Sequence, residues 1–250
     1  MWLWECGLRG VSIPTYLPQF YLRIAARRKE RRANLVVTVG SYLFSRITSD
    51  DGRDSRFDGL RDSSAKMGGM FVGQAVWVSL CLLPVMSINA LPVSTFSSLP
   101  AAVGVTDLIG ILLYVGGLSF EVIADRQKSK WLQDKKQKKH EEDFLTRGLW
   151  GKSRHPNYFG ESTLWTGIAT LSAGVLMSGP GQVGMGLASW GILGKALAAA
   201  MCVVSPAFVS FLLLKVSGVP PSEEKYDKRY GDRKDYQKWK EEVPMFIPKL

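Results

Sequence analysis

Forty consecutive residues between Lys66 and Asp107 carry no charge, thirty-three more separate Glu161 from Lys195, and nineteen lie between Lys195 and Lys215. Elements of a water-soluble domain show one face to solvent and place ionisable side chains there at short intervals. Runs of this length exclude an ordinary soluble domain. They predict helices that satisfy their own backbone hydrogen bonds inside a hydrocarbon layer. The rest of the chain is dense in charge, with 32 Lys and Arg against 22 Asp and Glu and a net charge of +10. The near-zero mean hydropathy therefore averages two unlike populations, which also excludes a disordered chain or a secreted disulfide scaffold.

Four stretches reach the roughly 20 residues needed to cross about 30 Å of hydrocarbon. They are residues 69–91, 101–124, 158–178 and 196–216, with Pro84 and Pro206 inside two of them. The expected fold is all-α, a polytopic transmembrane helix bundle with at least four spans. Of the 32 basic residues, 29 fall in residues 23–66, 125–154 and 223–250, whereas the connections 92–100 and 179–195 hold only Lys195. With four spans between them, the three basic stretches and the C-terminus share one face, which the positive-inside rule makes cytosolic. Their charges then serve topology and lipid headgroups, so no nucleic-acid partner is expected. Residues 34–44 are apolar but too short to cross, and Pro14 and Pro18 break residues 11–22. Residues 1–39 are thus expected to form an interfacial or truncated membrane region, and 40–250 the membrane domain.

Cys6, Cys81 and Cys202 are isolated and the only histidines are His140 and His155, so no metal centre is expected. Residues 179–184, GPGQVG, fit a dinucleotide fingerprint by spacing, but they join two membrane segments and no acidic residue follows before 223. The match is a glycine-rich loop.

Residues 145–165, LTRGLWGKSRHPNYFGESTLW, concentrate chemistry where a basic loop enters the third span. Arg147, Lys152 and Arg154 offer cations able to grip phosphate, and His155 and Asn157 add directional polar groups. Trp150 and Tyr158 present faces for a planar ring. Glu161 lies a helical turn past Asn157 and Tyr158, at a depth where an unemployed carboxylate is costly. Upstream, in FEVIADRQKSKW, Glu121 and Asp125 share a helix face with Lys128 a turn beyond. In the tail, Tyr226 and Tyr230 share a face beside Arg229.

GLWGKSRHPNYFGE, with FEVIADRQK before it and SGVPPSEEKYDKRYGDRKDY after it, resembles the membrane family of the steroid 5-alpha-reductase C-terminal domain (3-oxo-5-alpha-steroid 4-dehydrogenase-like). Sterol C14- and C7-reductases are more distant relatives. The similarity extends from about residue 40 (GSYLFSRITSDDGRDSRFDGLR) to the C-terminus. It implies an NADPH pocket among the later helices beside a lipid-accessible cavity, in the endoplasmic reticulum membrane, for an enone or sterol-like olefin. The sterol-reductase pattern carries cofactor-binding roles onto Lys128, Trp150, Asn157, Tyr158 and the window from Tyr226 through Arg229 to Tyr230. The 5-alpha-reductase pattern adds Glu121, Asp125, Arg147 and Glu161, beside Arg154 and His155 of the same loop. Tyr42 and Glu121 are the catalytic candidates, with Gln74 and Tyr114 as alternatives to Tyr42 as donor to a substrate carbonyl.

Isoprenylcysteine carboxyl methyltransferases share RHPxYxG and a similar tail but bind S-adenosylmethionine. Asn157, Glu161 and the ExxAD upstream favour the reductases. The chain also departs from its relatives. Leu132 stands where sterol reductases place a basic residue, and the apolar run that precedes GSYLF in relatives is missing here. A shortened N-terminus, and with it a non-catalytic relative, is the third expectation.

Overall fold

The computed structural model describes residues 63–100 and 102–249, and the regular structure within them is helical, with no strand. Ser63 caps α1 (Ser64–Asn89), its hydroxyl accepting the Lys66 amide N–H. After the short α2 (Val93–Ser97) comes α3 (Val105–Lys136), whose Asp107 carboxylate accepts the Gly104 N–H at 2.9 Å. A carboxylate there also complements the positive end of the helix dipole. Pro156 opens α4 (Pro156–Leu176), where its fixed φ suits the first turn. GPGQVG forms α5 (Gly179–Gly184), a single short helix capped by Ser178, as befits a connection and not a nucleotide loop. Then come α6 (Ile192–Phe211), a π-helical turn (Leu212–Val216), α7 (Val219–Tyr230) and α8 (Lys234–Glu242).

The bundle is an all-α membrane fold, with one correction to the expected spans. Among the described residues three helices are long and apolar enough to cross a membrane: α1, α3, and α6 with its continuation. The third predicted span, now α4, has the length but is rich in Gly, Ser and Thr. The reason is its position. Thirteen of its 21 residues are buried, and it packs against α3, α6 and α1, most extensively α3. A helix wrapped by its neighbours needs little apolar surface of its own, because lipid meets the neighbours instead. The exposed apolar residues lie accordingly on α1, α3 and α6, among them Phe71, Val72, Leu108, Leu112, Val203 and Phe211.

Glycine sets the distance between α3 and α4. Gly110 and Gly117 of α3 face Gly160 and Gly167 of α4, each pair seven residues apart. A Cβ on Gly117 would lie 2.5 Å from the Leu164 backbone nitrogen and 2.7 Å from the Gly160 oxygen. One on Gly167 would lie 2.5 Å from the Tyr114 nitrogen. Two backbones this close gain dispersion and weak Cα–H···O contacts that a larger residue forbids. Across the other contacts hydroxyls do the joining. Ser205 of α6 donates to the Cys81 carbonyl of α1 at 2.7 Å, and Ser210 donates to Ser162 of α4 at 3.1 Å. Each such bond contributes about 0.6–2 kcal/mol in a membrane bundle. Cys81 and Cys202 are buried free thiols.

The seam makes a paired prediction. Gly117→Leu drives a side chain into the α4 backbone and is expected to cost about 3 kcal/mol or more. Gly116→Leu, whose Cβ meets nothing within 4 Å, is tolerated. Thermal unfolding of the two variants in detergent measures the difference; equal transitions would remove the seam as the determinant of α3–α4 packing.

Candidate functional site

The 32 residues of α3 extend about 48 Å, more than a bilayer core accepts. Its charged carboxyl-terminal third therefore projects beyond the core, beside the start of α4. Between these helices the loop is fastened on two sides. Gly148, at φ +64°, turns the chain so that Leu149 N–H reaches Gln127 Oε1 and the Trp150 indole N–H reaches the Ala124 carbonyl, both at 2.9 Å. On the other side the C-terminal segment runs along the loop. Arg154 N–H donates to Pro244 O at 2.9 Å, Ser153 Oγ to Phe246 O at 2.8 Å, and Lys249 N–H to Lys152 O at 2.9 Å. The tail thereby becomes a wall of the structure.

The three segments enclose a pocket with about 470 Å³ of free space, part of it continuous with solvent. Lys128 and Trp131 line it from α3. Phe144, Trp150, Arg154 and His155 line it from the loop, and Ser222, Glu223, Tyr226, Tyr236 and Trp239 from the tail. The Lys128 ammonium sits 4.7 Å from the centre of the Trp150 ring. Phe144, Tyr230, Tyr236 and Trp239 form an aromatic cluster beneath, with Tyr226 against Tyr230 at 6.0 Å.

Glu223 is the electrostatic centre. It accepts from Arg154, from His155 Nε2 at 2.8 Å and, within an ion pair of 3.3 Å, from Lys240. Lys240 also pairs with Asp227, which accepts the Tyr236 hydroxyl at 2.8 Å. His155 stacks on Tyr158 with ring centres 5.2 Å apart and planes nearly parallel. Burial pushes the His155 imidazole below its ordinary value of 6.5, with the Glu223 carboxylate opposing that shift, so the ring is neutral at pH 7 and donates to the carboxylate. Arg154 Nε and Trp239 Nε1, both on lining residues, are buried without a hydrogen-bond partner, as is Asn157 Oδ1, whose residue does not line the pocket.

Lys128, Trp150, Arg154, His155 and Tyr226 are thus brought to one pocket, and Tyr230 lies in the cluster beneath it. Other candidates stand elsewhere. Arg147 is exposed and paired with Glu142 at 3.2 Å, because the glycine turn points it outward; it does not line the pocket. Arg229 is exposed and lies over the Tyr230 ring. Glu121 is buried at the α3–α4 seam, where Gly160 meets its backbone, and Asp125 and Glu161 lie half-buried near each other. Tyr158 belongs to the apolar core with Trp165 and Leu213. Gln74 is exposed on α1, Tyr114 is partly buried against that core, and Tyr42 lies outside the described residues.

Reading the sequence missed Glu223, Phe144, Tyr236 and Trp239. A signal for Glu223 existed: adjacent Arg154 and His155 at a membrane boundary require a counter-charge, and the acidic pair after Pro220 and Pro221 supplies one. Among the described residues no group of three His, Cys, Asp or Glu is placed to hold a metal ion.

Residues 36–243, more than four-fifths of the chain, match the model of a family described as protein of unknown function (DUF1295). The chain belongs to the DUF1295 family. No curated protein and no solved structure matches it. In this DUF1295 member, therefore, the pocket itself carries the functional argument.

Two outcomes follow from the ion-pair cluster. As pH falls, the unfolded chain protonates its imidazole first, from about pH 6.5, while folded His155 resists. Stability therefore declines from that pH downward to the lower folded value. Melting curves between about pH 7.5 and 5.5 should show a decline that is smaller in His155→Gln; identical pH dependence in the two proteins would refute it. Glu223→Gln, which leaves Arg154 and His155 short of their acceptor, is expected to cost about 2–3 kcal/mol in the same assay.

Proposed function

We propose that this chain is a membrane-embedded NADPH-dependent reductase of a conjugated carbon–carbon double bond in a hydrophobic, steroid- or lipid-like substrate. One observation carries the reading: Lys128, Trp150, Arg154, His155 and Tyr226, from three motif segments spread over about a hundred residues, line a single pocket. The residues suit the cofactor. Cations for phosphate stand beside aromatic faces for a planar ring, and Arg154 Nε and Asn157 Oδ1 are buried polar atoms lacking a partner.

NADPH supplies the hydride. The protein's part is positioning and polarisation. Lys128 and Arg154 hold phosphate oxygens, with Lys128 kept in place over Trp150. Asn157 offers its carbonyl oxygen to an amide N–H, and the Trp150 ring, fixed through Ala124, limits how a planar group can lie. Burial beside the membrane keeps water from the reacting atoms. An acidic hydroxyl, Tyr42 in the resemblance, stabilises the developing enolate oxygen; a preorganised donor of that kind contributes about 3 kcal/mol. Glu121, buried where Gly160 meets its backbone, is the second catalytic candidate of the resemblance. The pocket end carries the basic loops, so it faces the cytosol by the positive-inside rule, in the endoplasmic reticulum as in the resembled family.

Ligand-induced stabilisation tests this. NADPH should raise the melting temperature of the detergent-purified protein, and Lys128→Ala and Arg154→Ala should each weaken that binding about tenfold, or about 1.4 kcal/mol. A shift with S-adenosylmethionine in place of NADPH would point to the methyltransferase chemistry of the same motif and overturn the reading. No shift with either would leave a non-catalytic membrane protein.

A further inference from the structure

One wall of the pocket comes from the tail, where Trp239 and Glu223 stand apart from the residues assigned to the cofactor. Ring contacts hold Trp239 in place, with centroids 5.3 Å from Phe144 and 5.7 Å from Tyr236. Its indole N–H is buried and has no acceptor. Arg154 repeats the pattern on the loop side. One of its terminal nitrogens is engaged by Glu223, whose other oxygen takes His155, while the buried Nε–H has no acceptor. A guanidinium can give two parallel hydrogen bonds from the edge that carries Nε, a geometry that matches two oxygens of one oxyanion. Glu223, by holding a terminal nitrogen, fixes the plane and reserves that edge.

The balance of donors and acceptors points the same way. Glu223 is the one carboxylate among the described lining residues, and it is already engaged by Arg154, His155 and Lys240. The donors that remain need an acceptor from outside the chain, since a buried N–H without one is unfavourable.

We infer that the Nε edge of Arg154 and the indole N–H of Trp239 together bind an oxyanion, a phosphate group of the ligand, and that Glu223 is a positioning residue that orients Arg154 toward it. The identity of the ligand rests on the NADPH reading; the oxyanion site itself stands on the two unpaired donors. Such a dinucleotide carries the group in two places, the diphosphate bridge and the phosphate on the adenosine ribose.

Binding of NADPH, NADH and inorganic pyrophosphate to the full-length protein in detergent tests the inference. Trp239→Phe keeps a ring in the aromatic cluster and removes the N–H. It should weaken NADPH and pyrophosphate about fivefold to tenfold. An equal loss for NADH assigns the oxyanion to the diphosphate bridge, and an unchanged NADH affinity assigns it to the ribose phosphate. Arg154→Lys, which keeps the charge without the planar edge, should reproduce the loss even if the Trp239 variant fails to fold. Glu223→Gln separates positioning from simple charge. Removing a negative charge beside an oxyanion tightens binding if charge alone matters, whereas loss of orientation loosens it; tightening refutes the positioning role. If Trp239→Phe and Arg154→Lys both bind like the unaltered protein while Lys128→Ala loses NADPH, the inference fails and the reductase reading survives. If pyrophosphate stabilises the protein in a Trp239-dependent way but NADPH does not bind, the reductase reading fails and the oxyanion site stands. Indifference to all three ligands ends both.

Discussion

The close approach of α3 and α4 determines where everything else lies. With glycines seven residues apart on both helices, the backbones meet at a distance that one register satisfies, because a slip of one residue rotates the contact by about 100° and brings side chains into the seam. That register sets Gly160 against Glu121. One turn along α3 the Ala124 carbonyl meets the Trp150 indole, and one turn further Lys128 lies over the same ring. The pocket's loop wall is in this sense an extension of the helix seam. The chemistry at the bundle's end inherits its geometry from contacts within the bundle.

The same seam explains the composition of α4. A central helix is largely surrounded by protein: Gly160, Gly167, Ser162 and Ser172 are buried against its neighbours, while its threonines, of which Thr166 is exposed, turn their hydroxyls back onto their own helix. Hydroxyls there find acceptors, as in the Thr163, Thr166 and Thr170 bonds to carbonyls one turn back, each 2.8 Å, and in the Ser210 bond to Ser162. Such a helix is poor in hydropathy and rich in specific contacts. It also allows Glu161 to enter the bundle near Asp125 without facing hydrocarbon.

Much of this was legible in the sequence, and the failures have physical causes. Uncharged runs revealed α1, α3 and α6 because lipid contact requires apolar surface over a whole helix. They overstated α4, whose surface meets protein. The α3 span was drawn to end at 124, since hydropathy falls there, yet the helix continues to Lys136: backbone hydrogen bonds do not need apolar side chains, and Lys135 and Lys136 suit a helix C-terminus. The RHPNY and GLW segments stood out because they set cations and aromatics together at a boundary, and Trp150, Arg154 and His155 do line one pocket. Arg147 was misplaced because a positive φ at Gly148 cannot be read from charge spacing. Glu223 and Trp239 were missed because their roles depend on how the tail folds back along residues 152–154, a long-range contact carried by backbone bonds from Pro244 to Lys249 that leaves no mark on local pattern.

That return of the tail has an electrostatic logic. Arg154, His155, Lys240 and Lys128 converge on a half-buried space, and without a carboxylate among them the cations would repel in a medium of reduced dielectric. Glu223 resolves this within the chain, so the pocket holds together before any ligand arrives, and neutral His155 limits the excess positive charge. A carboxylate offers few acceptor sites, however, and here they are shared among three partners. The donors left over, at Arg154 Nε and Trp239 Nε1, are those that the internal counter-ion cannot reach. A pocket that neutralises its charge but not its hydrogen-bonding capacity discriminates by geometry: a point charge gains little from it, while a group with several oxygens spaced as in phosphate satisfies donors on both walls at once.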